Sequence, residues 1–195
     1  MPESAVRIVA AVMALANVAV VILVLLWERP GRAARIRTPA QWRVPRVGTL
    51  LMVLPLAYPV VVVVAPGWLT WRASTLLHVA GLVLWALGCS GVLWCVRVMR
   101  GQTGADGVVE GHRLVTTGPY RFVRHPMYVA ILATSGGSAI AIGSYVVAMA
   151  ALAFVPVAVS WAATEERLLV SSELGQQYQE YERHAGRLVP RLRRR

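Results

Sequence analysis

The chain has 195 residues, 57% of them hydrophobic and only 15% charged, and its 20 basic residues, all arginine, leave a net charge of +11. That length fits one domain, and the composition excludes an ordinary soluble protein. The arginines flank apolar runs instead of gathering on one surface, so the charge points to membrane topology and anionic headgroups rather than to nucleic acid.

Four apolar stretches follow one another along the chain: Ala5 to Trp27, Val47 to Ala65, Thr75 to Met99, and Met127 to Ala163, the last broken at Gly143-Ser144. A spanning helix needs about 20 apolar residues, so the first three predict single spans and the fourth predicts two. The fold expected is an all-α integral membrane protein of about five transmembrane helices, with a helical hairpin near the C-terminus. Residues 1–74 read as scaffold helices and 75–195 as the functional core. The first run is too long for a cleavable signal core and predicts a helix.

Within these spans the polar residues are few. Asn17 interrupts the first helix and predicts a helix–helix hydrogen bond. Pro55 and Pro59 predict a kink in the second. Gly81, Gly88 and Gly91 in the third predict close packing, His78 reads as a satisfied interfacial histidine, and Cys89 and Cys95 read as small core residues without metal-ligand spacing. Small residues on the third and fourth helices would permit a dimer, and the oligomeric state stays open.

Arginine placement gives an orientation. The connection after the first helix carries Arg29, Arg32, Arg35, Arg37, Arg43 and Arg46, the one after the third carries Arg97, Arg100, Arg113, Arg121 and Arg124, and the tail ends in Arg193, Arg194 and Arg195. Only Arg72 follows the second helix, and the turn between the fourth and fifth has no charge. The positive-inside rule then predicts an outside N-terminus and a cytoplasmic C-terminus in a multi-pass protein, of the bacterial plasma-membrane kind.

The polar loop before the fourth helix is too long for a plain connector, which marks it as functional or disordered. It ends in "GPYRFVRHPMY", where two arginines, a histidine and two tyrosines stand at the edge of an apolar run. Pro126 is a favoured first-turn proline, so the fourth helix starts there and gathers His125 and Tyr128 at its cytoplasmic end. The hairpin returns the fifth helix to the same level, where Glu165-Glu166 begin the exit from the membrane. Carboxylates there oppose both the helix carbonyl end and the lipid surface, so a polar partner is expected. A histidine and tyrosines at a helix start suit a carboxylate, and a glutamate pair suits an ammonium or sulfonium. A small zwitterion with an apolar body fits such a pocket. The remaining C-terminal segment reads as an amphipathic surface helix broken at Gly175.

"HRLVTTGPYRFVRHPMY", followed after a hairpin by "TEERLL" and "LGQQYQEYERHAGRLVP", resembles the isoprenylcysteine carboxyl methyltransferases and their phospholipid-methyltransferase relatives. The resemblance covers about residues 75 to 192, and the motifs are specific in combination. It implies S-adenosylmethionine as methyl donor, with S-adenosylhomocysteine as product, in a cytoplasmic pocket. His112, Arg113, Leu114, Val115, Tyr120, His125, Pro126 and Tyr128 would line that pocket, and Glu166 would reach the donor's amino group. Family members carry an arginine four residues before this glutamate; the present chain has Ala162.

Methyl transfer from a sulfonium is an in-line displacement that needs alignment and exclusion of water. Carboxylate, thiolate or phenolate acceptors need no base, whereas an amine must lose a proton, for which His125 or Glu165 stand nearest. Arg121 or Arg124 would orient an anionic acceptor. The acceptor is expected to be lipophilic or lipidated and to enter from the bilayer. A membrane reductase of the sterol or enoyl type using a nicotinamide dinucleotide ranks second, "RGQTGADG" being too loose a phosphate fingerprint. A non-catalytic membrane scaffold ranks third.

Overall fold

The computed structural model describes residues 2–27, 56–63, 69–99 and 113–191. Six helices are found among them: α1 (Glu3–Trp27), α2 (56–63), α3 (Thr75–Met99), α4 (Pro126–Ile142), α5 (Tyr145–Val170) and α6 (Gly175–His184), with a 3-10 turn at Gly118–Arg121 before α4. α1, α3 and α5 are each long and apolar enough to cross a membrane. α4, with 17 residues, rises about 25 Å, most of the hydrocarbon thickness. The described residues thus form an all-α membrane protein. The expected second span lies largely outside them, with α2 as its described part.

α3 and α4 form the tightest pair. A methyl group at Gly81, Gly88 or Gly137 would collide with the backbone of the facing helix at Ala141, Thr134 and Trp85 respectively. Without a hydrophobic drive between helices in lipid, such close approach supplies the dispersion contacts that hold them together. Polar ties fix the register. His78 Nδ1 lies 2.9 Å from the Ala141 carbonyl, and Asn17 accepts from Trp85 Nε1 while donating to the Leu56 carbonyl, each at 3.1 Å. These are the helix–helix roles expected of the two residues.

The hairpin turn falls where the sequence predicts it. Gly143 adopts φ 65°, which L residues rarely take, and Ser144 caps α5 by accepting from Val147 N. A strap at 69–71 closes over the turn, with Trp71 N donating to Gly143 O and Tyr145 N to Leu69 O.

α5 differs from expectation. The apolar run ends at Ala163, but the helix continues to Val170, so Glu165 and Glu166 lie within it instead of on an exiting chain. The helical backbone bonds do not require apolar residues, and the glutamates find cations that relieve their conflict with the helix carbonyl end. The chain turns at Ser171–Leu174, and α6 then packs back beneath α5 with Tyr178 buried.

Candidate functional site

The polar cluster forms where α4 begins and α5 ends. Residues 123–125 run beside 185–187, joined by a parallel bridge between Val123 and Gly186. Arg124 N donates to Gly186 O and His125 N to Arg187 O, at 2.7 and 3.1 Å. The Tyr181 hydroxyl donates to the Tyr120 carbonyl at 2.5 Å, and burial pushes it up to about 12, so it stays protonated at neutral pH. The C-terminal segment is in this way laced onto the start of α4.

Glu166 sits at the centre. Its Oε1 accepts from Arg124 Nε at 3.0 Å and lies 3.2 Å from His125 Nε2; its Oε2 accepts from Arg187 Nε at 2.9 Å and from Arg187 Nη2. The Arg124 side chain is 4% exposed and also meets Glu182 Oε1 and the Ala185 carbonyl. Buried charge is tolerated only when paired and hydrogen-bonded, and here both oxygens of the carboxylate are matched.

Glu165 is more open, at 38% side-chain exposure, and accepts from the Tyr128 hydroxyl at 3.0 Å. Its other oxygen lies 3.1 Å from His125 Nδ1. His125 therefore has a carboxylate at each ring nitrogen. Ionised carboxylates only accept, so the ring carries both protons and is a cation. Burial opposes that charge, but the bonds to Glu165 and Glu166 outweigh it and raise the group above its ordinary value of 6.5.

A raised folded-state value stabilises fully below the unfolded value and is lost as pH rises through the folded one. Thermal melts in detergent are expected to fall as pH climbs above about 6.5, and His125→Gln is expected to flatten that dependence. An unchanged slope in the variant would refute the imidazolium assignment.

An aromatic file leads from this cluster into the apolar region. His125 stacks on Tyr128 at 5.8 Å between centroids, Tyr128 meets Trp161 at 6.3 Å, and Trp161 meets Phe154 edge-on at 5.9 Å. From Phe154 to Glu165 α5 rises about 16 Å.

The remaining expected residues are spread around this centre. Tyr120 and Pro126 are buried, the former hydrogen-bonded to Cys95. Leu114 and Val115 are half-buried, and Arg113 is exposed. Leu114, Thr116 and Arg121 border an open basin of about 680 Å³ whose other wall is α6, with Gln176, Glu180 and Tyr181. His112 lies outside the described residues. Ala162, one turn before Glu166, is fully buried, so the position the resemblance reserves for an arginine carries no charge. Arg187 and Tyr181, both in the C-terminal motif "LGQQYQEYERHAGRLVP", join the site although they are not among the residues expected there. The need of two glutamates for more than one cation was the available signal. Among the described residues no group of three or more His, Cys, Asp or Glu stands ready to hold a metal ion.

Fold and site together define an all-α membrane protein with an ion-paired polar centre at one end of a helical hairpin. Residues 76–175, just over half of the chain, match the phospholipid methyltransferase family, and the chain belongs to that family. It is similar to the cobalt-zinc-cadmium resistance protein CzcN of Cupriavidus metallidurans, 35% identical over 124 residues, 63% of this chain and 53% of that protein. It is also similar to the nickel-cobalt-cadmium resistance protein NccN of Alcaligenes xylosoxydans xylosoxydans, 32% identical over 124 residues, 63% and 54% respectively. The chain spans about half the length of the curated relatives it matches.

Proposed function

We propose that the chain transfers a methyl group from S-adenosylmethionine to a lipophilic acceptor in the bilayer, at the cytoplasmic ends of α4 and α5. The observation that carries this reading is the juncture of His125, Tyr128, Glu165 and Glu166 with an aromatic file running into the apolar hairpin, in a chain of a methyltransferase family. The donor set fits a sulfonium nucleoside. Glu165 is partly exposed and keeps acceptor capacity, and the Tyr128 and Trp161 rings offer π faces to a positive charge.

When bound, S-adenosylmethionine supplies an electrophilic methyl group on a positively charged sulfur. The residues of this chain align, neutralise and exclude water. Tyr128 and His125 hold the Glu165 carboxylate between them, fixing its direction. As an imidazolium, His125 has no lone pair with which to take a proton, so it orients both glutamates and Glu165 is the group left for an acceptor that must be deprotonated. Arg124 spends its donors on Glu166, Glu182 and backbone carbonyls, which makes it a brace for Glu166. Phe154 and Trp161 give the apolar region beside Glu165 an aromatic wall against which an apolar acceptor would pack. With Ala162 in place of the family arginine, thiol, phenol and lipid-amine acceptors stand beside the isoprenoid carboxylates. The positive-inside pattern supports the cytoplasmic placement.

The test is transfer of labelled methyl groups from S-adenosylmethionine by the protein in liposomes. Label is expected in the organic extract, and Glu165→Ala and Tyr128→Phe are each expected to lower the rate at least about tenfold. No incorporation with isoprenoid acid, thiol, phenol or amine lipids, together with binding of a nicotinamide dinucleotide, would overturn the reading.

A further inference from the structure

Two arginines hold Glu166, and they do so differently. Arg124 is almost wholly buried and its guanidinium is committed to Glu166, Glu182 and two backbone carbonyls. The Arg187 side chain is 41% exposed, and Glu166 is its one ion-pair partner among the described residues. Both Nε and Nη2 of Arg187 converge on Oε2 alone, because Oε1 is occupied by Arg124 and His125. A guanidinium normally engages both oxygens of a carboxylate in a fork, so this pair is a geometric compromise. Close by, the Tyr178 hydroxyl is buried within the field of Glu166, Arg124 and Glu182 and has no hydrogen-bond partner among the described residues. Buried hydroxyls are nearly always satisfied, so Tyr178 keeps hydrogen-bonding capacity beside this pair.

We propose that Arg187 takes the carboxylate of the methyl donor's amino-acid end, beside Glu166, whose Oε2 would hold the ammonium that the family resemblance already assigns to this glutamate. This rests on the reading of the chain as an S-adenosylmethionine-dependent methyltransferase. An amino-acid zwitterion carries one charge of each sign, the complement of the pair it enters. Its insertion replaces one ion pair by two and brings no net charge to a buried place. Glu166 need not move, since Arg124 and His125 keep Oε1 fixed, while Arg187 has the exposure and chain length to turn outward. A free carboxylate would also offer Arg187 the two-oxygen fork that Glu166 denies it. Arg187 lies beyond residues 76–175, so donor recognition would be completed by chain that follows the family-matched segment.

The test is calorimetric titration of detergent-purified protein with S-adenosylhomocysteine and with 5′-methylthioadenosine, a nucleoside thioether without the amino-acid arm. Wild type is expected to prefer S-adenosylhomocysteine by about tenfold or more. Arg187→Gln is expected to lose that preference with 5′-methylthioadenosine binding unchanged, and Arg187→Lys to recover part of it. Equal weakening of both ligands would make Arg187 a purely structural brace and overturn the proposal, as would undiminished S-adenosylhomocysteine binding. If Arg187→Gln fails to fold, Arg187→Lys carries the same comparison, since it keeps the charge and loses the fork. Wild type that binds both ligands without preference sinks this inference and leaves the donor reading standing; binding of neither removes both.

Discussion

Glu166→Ala is expected to cost about 3–5 kcal/mol of stability, because it strips the carboxylate from Arg124, Arg187 and His125 at once and leaves charge buried without its partner. In a chain of this size that is a fall of about 6–20 °C in Tm in detergent. Glu180 supplies the contrast. Its pairs with Arg183 and His184 are exposed, and Glu180→Ala is expected to change stability by less than about 1 kcal/mol. Equal melting of the two variants would mean that the centre is not the keystone its geometry indicates. Replacing Arg124 and Glu166 together by methionine is expected to recover much of the stability while leaving donor binding lost, separating the structural role of the cluster from its chemical one.

The second large effect is expected at the α3–α4 contact. Gly137→Leu drives a branched side chain into the Trp85 backbone, and the helices must separate to admit it, at a cost of about 3 kcal/mol or more. Gly136, its neighbour, points where an added methyl meets nothing within 4 Å, so Gly136→Ala is expected to be neutral or slightly stabilising. Melting curves of the two variants read the difference directly. If Gly137→Leu melted like the wild type, the two backbones would not be in contact in the bilayer protein.

Much of the architecture was legible in hydropathy and punctuation. α3 has the bounds predicted for it, Pro126 opens α4, and Gly143-Ser144 forms the turn. Glu165 and Glu166 do meet the polar partners expected for them, since their position opposes the helix carbonyl end unless cations are near. The identity of those cations was only partly legible. Arg124 lies in "GPYRFVRHPMY", next to His125, whereas Arg187 reaches Glu166 through the Val123–Gly186 bridge, a backbone pairing that no side-chain periodicity encodes. The overrun of α5 to Val170 escaped for a related reason: hydropathy marks where lipid ends, and a helix ends where its capping residues and packing decide. The burial of Tyr178 depends on α6 folding back, which its amphipathic pattern did not distinguish from a helix lying on the membrane.

The lacing of residues 185–187 along 123–125 also sets the order in which the protein can become competent during synthesis. The apolar helices are complete by Val170, and domains form as the chain emerges. The centre, however, waits for Gly186 and Arg187 to clear the ribosome, so an inserted bundle exists for a time with Glu166 lacking one of its cations. A ribosome stalled or a chain cut before Ala185 would therefore leave a membrane-inserted protein with an unassembled site, and quality-control proteases have a defined species on which to act.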